Sequence, residues 1–134
     1  MLHYLVAWIA TAITFFAIDL VWLGMVAKSF YRDRIGALML DQINISAAVI
    51  FYLVYVVGIV IFAVAPALQS GSWITALVFG ALFGFFAYAT YDMTNLATLR
   101  GWPLEVVVVD VLWGTVITGA SATVGFLVTR SLLQ

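Results

Sequence analysis

The chain contains no cysteine, which excludes disulfides, thiolate metal centres and cysteine nucleophiles. Its one histidine, His3, stands at the N-terminal end of the sequence, so no HExxH-type histidine cluster can be assembled. Neither a haem nor a thiolate-bound metal is therefore expected. Charge is scarce as well: 8% of the 134 residues are Asp, Glu, Lys or Arg, whereas soluble domains carry about a quarter. A formal net charge of −1 supplies no basic field, and no nucleic-acid partner is expected. Glycine-rich nucleotide loops and a Ser/His/Asp triad are also missing. Any chemistry must rest on Asp, Tyr, Trp, Asn, Thr and Ser.

What the chain has in abundance is apolar surface. Hydrophobic residues make up 66% of it, and the mean hydropathy is +1.21. Four apolar runs, at about 2–27, 44–68, 73–99 and 103–129, each approach the ~20 residues that span a bilayer. The first carries Asp19 and lacks a basic leader, so it reads as a span and not as a cleavable signal. A Pro/Gly/Ser turn, PALQSGSW, joins the second run to the third, and Arg100-Gly101-Trp102-Pro103 joins the third to the fourth. Short links make neighbouring helices antiparallel. The expected fold is an all-α membrane protein in one domain, an up-down bundle of four transmembrane helices.

Between the first two runs, Phe30, Tyr31, Ile35, Leu38 and Met39 recur at helical spacing among Arg32, Asp33, Arg34 and Asp41. This pattern predicts a short helix lying in the membrane interface over 28–43. Lys28, Arg32, Arg34 and Arg100 fall on one side of the bundle and only Arg130 on the other. The positive-inside rule then puts the charged connections in the cytoplasm and both termini in the periplasm of a bacterial inner membrane. Trp102 reads as an interface anchor.

Three acids interrupt the apolar runs: Asp19, Asp92 and Asp110. A charged side chain at the centre of a spanning helix costs roughly 2.5–3.5 kcal/mol on insertion scales, so each is a functional candidate. At about 1.5 Å per residue from the cytoplasmic surface, Asp92 and Asp110 lie about 10 Å deep, and Asp19 and Tyr52 about 12 Å. Every helix thus offers a polar side chain to one layer. Asp19–Trp22 and Asp110–Trp113 are D-x-x-W pairs sharing a helix face, and Tyr88 and Asn95 flank Asp92 on its face. Tyr52 and Tyr55 share a stripe with Asn44 and Ala48. Gly80, Gly84, Tyr88 and Asp92 form a four-residue ladder opening with GxxxG, and Asp110, Gly114, Thr118, Ser121 and Gly125 form a similar stripe. Small residues let helices approach closely in lipid. The GxxxG suits packing inside the bundle or a homodimer equally well.

The D-x-x-W of the first run, FYLVYVVG (51–58), the block YATYDMTNLATLRGWP (88–103) and VVDVLWG (108–114) together resemble a known family. It is the bacterial membrane-protein family called domain of unknown function 2177, and the likeness runs nearly end to end. The resemblance implies a small polytopic inner-membrane protein and assigns no role to any residue.

Three readings of function follow. In the first, Asp19, Asp92 and Asp110 bind or translocate a proton, a cation or a cationic, lipid-derived ligand. Tyr52, Tyr55, Tyr88, Tyr91, Asn95, Trp22 and Trp113 then supply hydrogen bonds or aromatic faces. Three acids this close cannot all ionise cheaply, so at least one is expected to keep a proton. In the second, the same acids hold a divalent cation or do acid–base work on a membrane lipid. The third is a structural subunit without chemistry, its acids pinning helices.

Overall fold

Hydrocarbon offers no water to backbone N–H and C=O groups, so a chain this apolar must close its hydrogen bonds along its own helices. The computed structural model describes residues 1–134 and contains helices and turns but no strand. Helix α1, Leu2–Val21, passes through a π-helical turn at Trp22–Val26 into α2, Ala27–Ile35, and a single 3₁₀ turn, Gly36–Leu38, follows. Helix α3, Ile45–Ile59, continues through a second π turn, Val60–Val64, into α4, Ala65–Ser70; α5 is Trp73–Thr98 and α6 is Leu104–Leu133. Four continuous helical stretches, Leu2–Leu38, Ile45–Ser70, Trp73–Thr98 and Leu104–Leu133, are long and apolar enough to cross a membrane. The chain is a multi-pass, all-helical membrane protein.

Local chemistry sets the breaks. Asn44 caps α3 by accepting the Ala47 N–H at 3.1 Å, which satisfies one of the otherwise unpaired first-turn donors. Pro66 lacks an N–H and crowds the carbonyl four residues back, and the π turn before α4 widens the helix where that crowding falls. Gly71 takes a left-handed conformation, φ 70°, so that its own N–H and that of Ser72 both reach the Ala67 carbonyl. Gly101, φ 68°, turns the chain from α5 into α6 in the same conformation.

The packing follows the small residues. A Cβ on Gly84 would overlap the Gly114 carbonyl oxygen, and one on Gly80 would lie 2.8 Å from the Ala122 Cβ. The GxxxG stripe is therefore occupied by α6 of the same chain, so a homodimer would need another face. Gly125 meets Thr11 in the same way, drawing α1 onto α6. Both α1 and α5 run antiparallel to α6, and α3 closes the ring through Phe15, Tyr52 and Tyr55 on one side and Phe83 on the other. Phe15, Ile59, Ile117 and Phe126 fill the centre, while Ile13, Val54, Phe86 and Val116 point outward, as a lipid-facing surface requires.

The short helix expected after the first span is α2, and it is not detached. It is continuous with α1, ends at Gly36, and leaves Leu38 and Met39 outside it and exposed. Its Phe30, Tyr31 and Ile35 rest on Trp102, Val106 and Val107 of the α5–α6 link and α6. Asp19 is level with Trp113, and Arg34 with Glu105. Over that stretch the first helix spends many more residues than α6 does, so α2 leans away from the axis of α1 after the π turn.

Candidate functional site

The lean of α2 and the α5–α6 seam between them create two differently built acid sites at one end of the bundle. On α1, Asp19 is buried and fully engaged: Tyr52 Oη donates to Oδ2, and Trp113 Nε1 donates to Oδ1 at 3.3 Å. Trp113 in turn stacks on Trp22, with ring centroids 4.2 Å apart and planes 10° apart. The two D-x-x-W tryptophans thus form one aromatic platform, with Asp19 at its edge.

Asp92 is the opposite case. Its relative exposure is 0%, and neither carboxyl oxygen has a hydrogen-bond partner. Its polar neighbours are the Asp110 carboxyl and the indole of Trp102, whose Nε1 is also buried and unpaired. Tyr88 and Asn95, expected to flank Asp92, do not bond it. The Tyr88 ring packs over Gly114 and meets Tyr55 edge-on at 6.2 Å, whereas Asn95 lies beside Tyr91. Leaving a buried polar group unsatisfied costs about 1–3 kcal/mol, and more for a charge. This site keeps two such groups together.

Asp110 links the layer to open space. It accepts a hydrogen bond from Tyr31 Oη at 2.8 Å. It also faces two cavities, one of about 360 Å³ with Phe51, Ala87, Tyr88 and Tyr91, and one of about 680 Å³ beneath α2. Asp19, Tyr88 and Trp113 line the larger one too, together with Lys28 and Arg32.

The predicted residues thus separate into groups. Asp19, Tyr52, Trp22 and Trp113 form one hydrogen-bonded and stacked unit; Asp92 and Asp110 form a second, with Tyr88 between the cavities. Tyr55 turns away from the acids, its hydroxyl 2.9 Å from Thr118 Oγ1 in the buried core. Tyr91 is half-exposed and packs edge-on against Trp102 at 5.8 Å. The three carboxyls do not converge on one point: no group of three Asp, Glu or His side chains is placed to hold a metal ion. The tyrosine and tryptophan around Asp19 hold it in its own unit.

Two residues enter that the sequence places elsewhere. Tyr31 reads as part of the short interfacial helix, yet its hydroxyl serves Asp110. Trp102 reads as an interface anchor but is only 8% exposed, because the left-handed turn at Gly101 folds it back against Tyr91, Val106 and Val107. A signal for Tyr31 is present in the sequence: Lys28, Tyr31 and Arg32 share one face of a helix, an arrangement that a plain lipid anchor does not need.

A family model described as "Predicted membrane protein (DUF2177)" matches residues 4–127. No curated protein and no solved structure matches the chain.

Proposed function

The chain belongs to the predicted membrane protein family DUF2177, and from that premise we propose that it is a membrane-embedded binding protein for a cationic group. The group is taken at the Asp92–Asp110 pair and reached through the cleft beneath α2. One observation carries this reading: a carboxyl wholly out of solvent, with neither oxygen bonded, lies against a second carboxyl that faces an open cleft. Two carboxyls side by side are costly unless a proton or another cation neutralises them. Purely structural acids would gain little, since polar contacts between membrane helices average about 0.6 kcal/mol.

Titration with ethanolamine, read by tryptophan fluorescence in detergent-solubilised protein, tests the proposal. A saturable response that disappears in both Asp92→Asn and Asp110→Asn, with folded helices retained, is the expected result. An unchanged response in the two variants would overturn it.

The same reading sets the site in the cytoplasmic half of a bacterial inner membrane, with both termini periplasmic, because Lys28, Arg32, Arg34 and Arg100 share one side. Single cysteines at Arg34 and Ser70 check this in a chain with no other thiol. In intact cells an impermeant thiol reagent should label position 70 and spare position 34; the reverse pattern would invert the orientation.

A further inference from the structure

The cleft beneath α2 carries charges of both signs that do not meet. Asp19, Asp110, Lys28 and Arg32 all line it. The one ion pair in the structure, Arg34–Glu105, uses none of the four. Lys28 and Arg32 are one helical turn apart on α2, and Tyr31, between them, has its hydroxyl on Asp110. The turn that carries the cations therefore also holds one of the acids that line the cleft with them. Behind Asp110 stands Asp92, fully buried and unbonded. The remaining walls are mostly apolar; Leu20 and Leu23, on the first spanning stretch, and Met39 and Ile43, in the connection that follows it, are about half-exposed or more.

We infer that this cleft holds the headgroup of an aminophospholipid, a phosphatidylethanolamine-type lipid, an inference that rests on the cationic-group reading above. The phosphate sits between Lys28 and Arg32, both good partners for phosphate oxygens. The ammonium enters toward Asp110, backed by Asp92 and flanked by the Trp22–Trp113 platform, whose faces attract cations. One zwitterion supplies both charges, which neither a simple cation nor a free phosphate does. A primary ammonium has three N–H donors, and the open carboxyl oxygens call for donors. A quaternary ammonium has none, and the headgroup of an anionic glycerol lipid would bring no positive charge to the acids. The acyl chains run along Leu20 and Leu23 into hydrocarbon.

Native mass spectrometry of the protein, released from nanodiscs of equimolar phosphatidylethanolamine, phosphatidylglycerol and phosphatidylcholine, reads the bound lipid directly. Phosphatidylethanolamine should be retained about tenfold over the other two. Asp110→Asn should erase the preference while leaving some of each lipid bound. Lys28→Gln combined with Arg32→Gln, at exposed positions outside the packed core, should lower retention of all three lipids. Equal retention of the three lipids by the unaltered protein, or full phosphatidylethanolamine retention in the Lys28/Arg32 variant, overturns the inference. Ethanolamine titration of the same samples separates the two failures. An Asp110-dependent tryptophan response without lipid preference sinks the lipid occupant alone, and absence of both sinks the cationic site as well.

Discussion

Asp19 and Asp92 are close counterparts. Both lie on helices antiparallel to α6, both are buried, and each has an α6 residue beside it, Trp113 for Asp19 and Asp110 for Asp92. Asp19 receives a phenol and an indole, so each oxygen has a donor. Asp92 receives neither in good geometry: its neighbours are a second acid and an indole whose N–H lies close by but outside hydrogen-bond geometry. The first is a finished polar contact of the kind that orders a helix bundle. The second is unfinished, and in a native fold an unfinished buried group calls for an explanation such as a ligand, an ion or a catalytic role. Burial alone does not distinguish the two acids; the missing partner does.

The contrast depends on the α5–α6 seam that keeps Asp92 dry. Gly84→Leu strikes that seam where a Cβ already overlaps the Gly114 carbonyl, so the loss should exceed about 3 kcal/mol. Thermal unfolding in detergent should show little folded protein. Leu82→Ala, on the exposed face of the same helix, should be nearly silent in the same assay. Equal stability of the two variants would mean that Asp92 is not enclosed by α6 at all.

Replacing each acid by leucine should then give opposite signs. Asp19→Leu strands the Tyr52 hydroxyl and the Trp113 N–H and should cost about 2 kcal/mol. Asp92→Leu strands no donor bonded to it and should stabilise by about 1 kcal/mol or more. Equal losses at both positions would erase the distinction.

A double-mutant cycle sharpens it further. Asp92→Asn and Asp110→Asn should be coupled by about 0.5–3 kcal/mol, as expected for groups in contact. Asp19→Asn combined with Asp92→Asn should be additive to within about 0.5 kcal/mol. Coupling of similar size in both cycles would restore a single three-acid site.

The four spans, their antiparallel order and the polar layer could be read from composition, run length and the depth of the acids, because hydrocarbon imposes those regularities directly. The GxxxG of Gly80 and Gly84 pointed to a close approach but not to which helix approaches. The division of three acids into one bonded and two juxtaposed could not be read. It depends on which way Tyr52, Tyr31 and Trp113 turn across helix interfaces, and helical spacing fixes only the face of each helix. The roles of Lys28 and Arg32 were hidden for a related reason. A π turn at Trp22–Val26 has no proline to announce it, and it is the lean it allows that turns α2 over the cleft.

The smallest expected effect concerns the two indoles that border the acids. Trp113 donates to Asp19, whereas the Trp102 Nε1 is buried beside Asp92 and donates to nothing. Phenylalanine keeps most of the packing of either ring and removes only the N–H. Trp113→Phe should therefore lose a hydrogen bond to a charged or polar acceptor, about 1–2 kcal/mol. Trp102→Phe removes a donor that has no partner, so its cost should stay within about 0.5 kcal/mol, or its sign should reverse. Its packing against Tyr91, Val106 and Val107 is apolar and survives the change. Parallel thermal unfolding of the two variants in one detergent gives the comparison directly. A loss at Trp102→Phe as large as at Trp113→Phe would show that the Trp102 indole does reach Asp92. Asp92 would then be a satisfied acid like Asp19, and the reason for treating it as a binding site would be gone.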